Sequence, residues 1–202
     1  MIANEYHFIT HWRLKASRTE IVDIIGNADD LPRWWPSVYL EVRTLEQGDA
    51  SGVGKRVALY TKGWLPYTLR WQFVVTEAAP PDGFTLVAEG DFVGQGVWAF
   101  RQDGEFVDIQ YDWRISAQKP ILKYLSFIMK PLFSMNHLWA MARGEESLRL
   151  ELLRRHAATD AERLNIPAPP ASTPGAPLKW LLHVLGWGSI SSPRSVAAAP
   201  GR

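Results

Sequence analysis

Apolar and polar positions alternate through four successive runs between residues 67 and 116, the period-two pattern of half-buried strands in an antiparallel meander. In the first run Leu69, Trp71, Phe73 and Val75 share one face, and Thr68, Arg70, Gln72 and Thr76 fall mostly on the other. Pro80-Pro81-Asp82-Gly83 is a turn signal, and Asp103-Gly104 marks a hairpin. The fourth run is the cleanest, with Val107, Ile109, Tyr111, Trp113 and Ile115 opposite Asp108, Gln110, Asp112 and Arg114. Such a sheet has one wet face and one aromatic face that another layer must cover. Residues 132–156 supply the cover. They contain no proline and place Leu138, Met141, Leu148 and Leu152, with Met135, Trp139, Ala142 and Leu153 alongside, at helical spacings. Glu145 falls on the same line and reads either as a buried, paired carboxylate or as an edge residue whose stem packs while its carboxylate reaches water.

The N-terminal third completes the plan. Residues 5–15 alternate as a first strand, with Tyr6, Phe8, Thr10 and Trp12 on one side and His7, Ile9, His11 and Arg13 on the other. Ser17 followed by Glu20 has the spacing of a capping box, and Ile21, Ile24 and Ile25 form a short helical face ending near Gly26-Asn27. Asp29 or Asp30 begins a second short turn that Pro36 stops. Residues 37–46 and 55–62 read as two more strands. The predicted fold class is α+β: one strand, two short helices, six strands and one long helix. The domain spans residues 1–158, a Pro/Ala-rich linker spans 159–177, and a tail spans 178–202, where LKWLLHVLGW is an apolar decapeptide too short to cross a bilayer.

This order of elements resembles the SRPBCC superfamily, the helix-grip fold of START lipid-transfer domains, birch-pollen-allergen-like proteins and the polyketide cyclase/dehydrase and lipid-transport family. The local cues are WWPSVY, GVGKRVALYTKGWLPYTLRW and NHLWAMARGEESLRLEL, and the resemblance covers residues 3–157. It implies a curved seven-stranded antiparallel sheet wrapped around the long helix, with an elongated apolar cavity between them. None of these cues is a catalytic signature, so the resemblance speaks to fold before activity.

Composition narrows the chemistry. A formal net charge of +1 lacks the basic excess of a nucleic-acid binder, and the absence of cysteine removes disulfides, zinc-thiolate sites and thiol catalysis. No signal peptide is read at the N-terminus, and the expected location is the cytoplasm. The ten tryptophans are the compositional peculiarity, and several sit at inward positions where they would wall a cavity. Alternation assigns Leu69, Trp71, Phe73, Trp98, Phe100, Ile109, Tyr111 and Trp113 to the sheet wall, facing Met135, His137, Leu138, Trp139 and Met141 from the helix. A fully packed interior is the competing reading of the same pattern.

Polar candidates are few. Tyr111 suits an inner wall, with its ring packing and its hydroxyl meeting a ligand oxygen. His137 lies beside the helical apolar line, though no partner acid can be assigned to it. Arg70 and Glu89 become ligand handles if the register turns them inward, and are otherwise cross-strand pairs on the wet face. His7 and His11 share a strand face without a third ligand, so no metal is expected. Gly94-Gln95-Gly96 lacks the helix and lysine of a phosphate loop, and no cofactor is expected. Gly144, inside the long helix, implies close packing or a bend.

Three functions fit: a carrier or binding module for an apolar small molecule such as a lipid or aromatic polyketide; a cyclase, aromatase or dehydratase using the same cavity; and an interaction module working through the tail, by homodimer or membrane-surface contact. With no convergent acid/base pair to assign, binding leads.

Overall fold

The computed structural model describes residues 5–65, 67–117 and 120–173. Strand β1 (Glu5–Lys15) is followed by helix α1 (Arg18–Gly26), a 3-10 turn (Ala28–Asp30) and helix α2 (Leu31–Trp34). Strands β2 (Tyr39–Glu46), β3 (Arg56–Lys62), β4 (Thr68–Ala79), β5 (Gly83–Gly90), β6 (Phe92–Asp103) and β7 (Phe106–Ala117) then form a continuous meander. Helix α3 (Pro120–His156) and the short α4 (Asp160–Asn165) complete the described chain. The seven strands make one sheet in the order β1-β7-β6-β5-β4-β3-β2, antiparallel throughout. The first strand therefore closes against the last, which sets Phe8 beside Trp113, Trp12 beside Ile109 and Leu14 beside Val107 on the concave face.

Helix α1 forms for the expected local reason, whereas no aspartate side chain caps the second turn: Asp30 accepts from Arg33, and Asp29 Oδ1 accepts from the Thr44 amide. Ser17 Oγ accepts from the Glu20 amide while the Glu20 carboxylate accepts from the Ser17 amide, a complete capping box. The same carboxylate pairs with His156 at the end of α3, and that bond, with the cap, holds the Glu20 pKa down to about 2. Ile21 and Ile24 point inward and are fully buried. Arg33 of α2 reaches across to Glu151 of α3 with two N–H···O bonds of 2.8 and 2.6 Å, and Arg155 supports the same carboxylate at 3.4 Å. Glu151 is a buried acid. Glu145 sits at the edge, meeting Arg149 at 3.5 Å.

Several expectations are corrected. Helix α3 is 37 residues long, beginning at Pro120 rather than residue 132, with Pro131 inside it. A proline removes one backbone donor, and in a helix of this length the turns on either side continue past it. The inward line also differs in phase. It runs through Phe133, His137, Met141, Gly144, Leu148 and Leu152, the track of a straight 3.6-residue helix, and leaves Met135 58% and Leu138 60% exposed. At 100° per residue, Leu138 stands roughly 90° from the centre of that line. Gly144 packs closely, but against Trp35 rather than the sheet: a Cβ there would overlap the Trp35 ring. Helix α4, capped by the Thr159 hydroxyl, occupies the start of the stretch read as linker. The decapeptide 178–187 lies outside the described residues.

Candidate ligand cavity

Two cavities open between these layers. One, about 130 Å³, lies beneath the middle of α3 and is walled by β1, β3, β4 and β7, with Phe133, His137 and Met141 above. The other, about 420 Å³, lies beneath α1 and α2 against β4, β5 and β6. They share Trp35, Tyr39, Trp71, Tyr111 and Met141 as common walls, so the space has two lobes with an aromatic waist. Its size and apolar lining are those of a small-molecule site.

The waist is built by register. Trp98 of β6 pairs with Tyr111 of β7, and their rings stack 4.1 Å apart. Tyr111 stacks in turn near Trp113 at 5.5 Å, and Trp113 meets Trp71 at 5.7 Å. Gly96, opposite Trp113, makes room for this layer: a Cβ on it would stand 2.8 Å from both Trp113 and the Tyr111 hydroxyl. The glycine at this position thus serves close approach of rings.

Most polar groups around the α3 lobe are already engaged. Thr61 Oγ1 accepts from Trp71 Nε1 at 3.0 Å, and Asn136 Oδ1 accepts from the Leu65 amide at 3.1 Å. Lys62 Nζ donates to the Thr173 carbonyl at 2.6 Å. Among the described residues lining the lobe, three buried side-chain atoms remain without a partner: the Tyr6 hydroxyl, Trp35 Nε1 and His137 Nε2. The His137 ring stacks on Phe8 at 4.1 Å, and its burial lowers its pKa to about 4. Burial likewise raises Tyr6, Tyr39, Tyr67 and Tyr111. Apart from the Lys62 ammonium, the tyrosines and His137 are therefore neutral hydrogen-bonding groups at neutral pH.

Of the residues assigned by alternation, Leu69, Trp71, Tyr111, Trp113, His137 and Met141 line the α3 lobe. Phe73 and Trp98 line the α1–α2 lobe. Phe100 and Ile109 are buried in the packed core instead, and Trp139 lies outside, half-buried against Arg143. Met135 and Leu138 are on the outer surface of α3, for the reason of phase given above. Arg70 and Glu89 line neither lobe, because the register does not turn them inward. Both point to the convex face, where Arg70 covers the Tyr60 ring at 4.1 Å and Glu89 accepts from Gln72 at 3.1 Å. His7, on the same face, bonds Asp112 at 3.0 Å. Sequence reasoning missed Trp35, Tyr39, Tyr67 and Phe133 as walls. Phe133 stands one turn before His137, a signal hidden by the phase error. Trp35 and Tyr39 follow a turn whose direction only the fold sets.

The architecture is a helix-grip fold, a curved seven-stranded antiparallel sheet covered by a long helix. A Thermus thermophilus protein superimposes with a TM-score of 0.60 at 15% identity, covering 75% of this chain and 100% of that one. The Zhui aromatase/cyclase of a Streptomyces species gives 0.56 at 15% identity, over 76% and 97%. A START superfamily protein of Mycobacterium smegmatis gives 0.54 at 14% identity, over 70% and 98%. At these identities the likeness establishes the fold. No family model and no curated protein matches the sequence. Among the described residues, no helix is long and apolar enough to cross a membrane.

Proposed function

We propose that the chain binds an apolar small molecule, of lipid or aromatic polyketide type, in the two-lobed space between sheet and helices. The observation that carries this reading is the aromatic waist shared by the two lobes. Large rings stacked into a wall beside a void expose apolar surface that an apolar occupant covers, and burial of that surface is the source of affinity. An aromatase/cyclase role, the activity named for one neighbour of this fold, uses the same space but needs a proton donor and acceptor facing one another. His137 Nε2 has no partner and burial lowers its basicity, so binding is favoured over catalysis.

The test is native purification followed by organic extraction and mass spectrometry, with a Trp71→Ala, Trp113→Ala double variant as control. A stoichiometric apolar compound that the double variant loses supports the reading. Equal recovery from the folded double variant overturns it.

A further inference from the structure

The α3 lobe differs from a plain greasy pocket in its charge and in what it leaves unpaired. Among the described residues that line it there is no carboxylate and no arginine, and its lysine, Lys62, has its ammonium on the Thr173 carbonyl. Lys130 lies against the Tyr6 ring, 5.5 Å from its centre, rather than among the lining groups. Beside this single lining cation the lobe holds Tyr6, Tyr39, Tyr67, Tyr111 and His137. Two of those groups, the Tyr6 hydroxyl on β1 and His137 Nε2 on α3, are buried without a hydrogen-bond partner, and both rings stack on Phe8. Tyr6 is 7% exposed, so its hydroxyl is shut away from bulk water. Unpaired buried polar atoms cost free energy, and beside a cavity a water or a ligand group can complete them.

Resting on the binding reading above, we infer that the α3 lobe is a recognition pocket for a neutral oxygen function, a phenol, alcohol or ketone, at one end of an otherwise apolar ligand. A hydroxyl suits the pair well, because it accepts from Tyr6 O–H and exchanges a hydrogen bond with His137 Nε2 in either tautomer. A carboxylate or phosphate does not. It would lose its hydration against Tyr6 and His137, neither of which carries a positive charge at pH 7, and a buried anion with no cation against it is far more costly than a neutral group. The ligand class is thereby narrowed from any lipid to uncharged oxygenated molecules, with fatty acids and phospholipid headgroups excluded from this lobe.

The experiment is equilibrium dialysis of the full chain at pH 7 against naphthalene, 2-naphthol and 2-naphthoate, three probes of one ring system that differ in the polar end. The expected order is 2-naphthol tightest, by about tenfold over the other two. In Tyr6→Phe and His137→Phe, the preference for 2-naphthol over naphthalene is lost. Should either variant not fold, the order on the wild-type chain decides. Naphthoate binding as tightly as naphthol, or naphthalene equal to naphthol, overturns the inference and leaves the apolar cavity standing. If none of the three binds, the cavity reading falls and this inference with it.

Discussion

Helix α3 covers two regions of the same sheet with opposite results. Toward its C-terminus, Leu148 and Leu152 join Leu14 and Val107 in the packed core, Gly144 lies close on Trp35, and Glu151 is clasped by Arg33. Toward its N-terminus, Phe133, His137 and Met141 span a void over Tyr6, Phe8 and Trp113. Backbone geometry is common to both, and β1 and β7 stay in register from end to end. The difference is side-chain shape. Branched aliphatics interdigitate to crystal-like density, whereas rings stacked on one another across β6 and β7 are held upright and cannot collapse inward. One end supplies stability, and the other spends some of it to keep a space open.

The largest expected effect separates these ends directly. Leu148→Ala creates a cavity in the solid half and costs about 3–4 kcal/mol in urea denaturation, while Met141→Ala enlarges a space that exists and costs about half as much. Equal losses would erase the distinction. A second test uses pH. The His137 pKa is lowered by burial from 6.5 to about 4, so the unfolded chain takes up a proton before the folded one. Its contribution is fully present above pH 6.5 and is lost as pH falls toward 4, by on the order of 3 kcal/mol, and His137→Phe flattens that window. Glu20, held down to about 2, titrates below it in the folded chain.

A smaller effect tests the junction of the two halves. Gly144→Ala gains about 1 kcal/mol of helix propensity but forces a methyl into the Trp35 ring, and a net loss of about 1–2 kcal/mol is expected by thermal unfolding. Smallest of all, Leu138→Ala changes stability by less than about 0.5 kcal/mol, since this residue faces out. A loss of several kcal/mol there would restore the helix phase first read from the sequence.

The sheet was legible almost throughout because each strand buries one face, and a period of two leaves a strong trace at Leu69 to Val75 and Val107 to Ile115. The long helix was legible in existence and blurred in phase. Apolar residues at Met135, Leu138 and Trp139 lie off its inward line, and a stripe read by counting sevens absorbed them. The site was half legible. Alternation put Trp71, Tyr111 and Trp113 on the wall, but no pattern of residue types distinguishes a filled interior from a hollow one. That property depends on ring orientation and on the angle at which Trp35 enters from α2. Glu151 was missed for a similar reason: its partner, Arg33, is 118 positions away in sequence, and only the docking of α2 on α3 brings them together.

The central claim is that the space under α3 is open to an apolar guest. The most direct measurement is a fluorescence titration of the neutral probe N-phenyl-1-naphthylamine into the wild-type chain and into Ala140→Phe, which places a ring in the α3 lobe. Saturable binding of one probe per chain, lost in a variant that keeps its fold by circular dichroism, is the predicted result. No saturable binding to the wild-type chain, or binding that Ala140→Phe leaves unchanged, would contradict it.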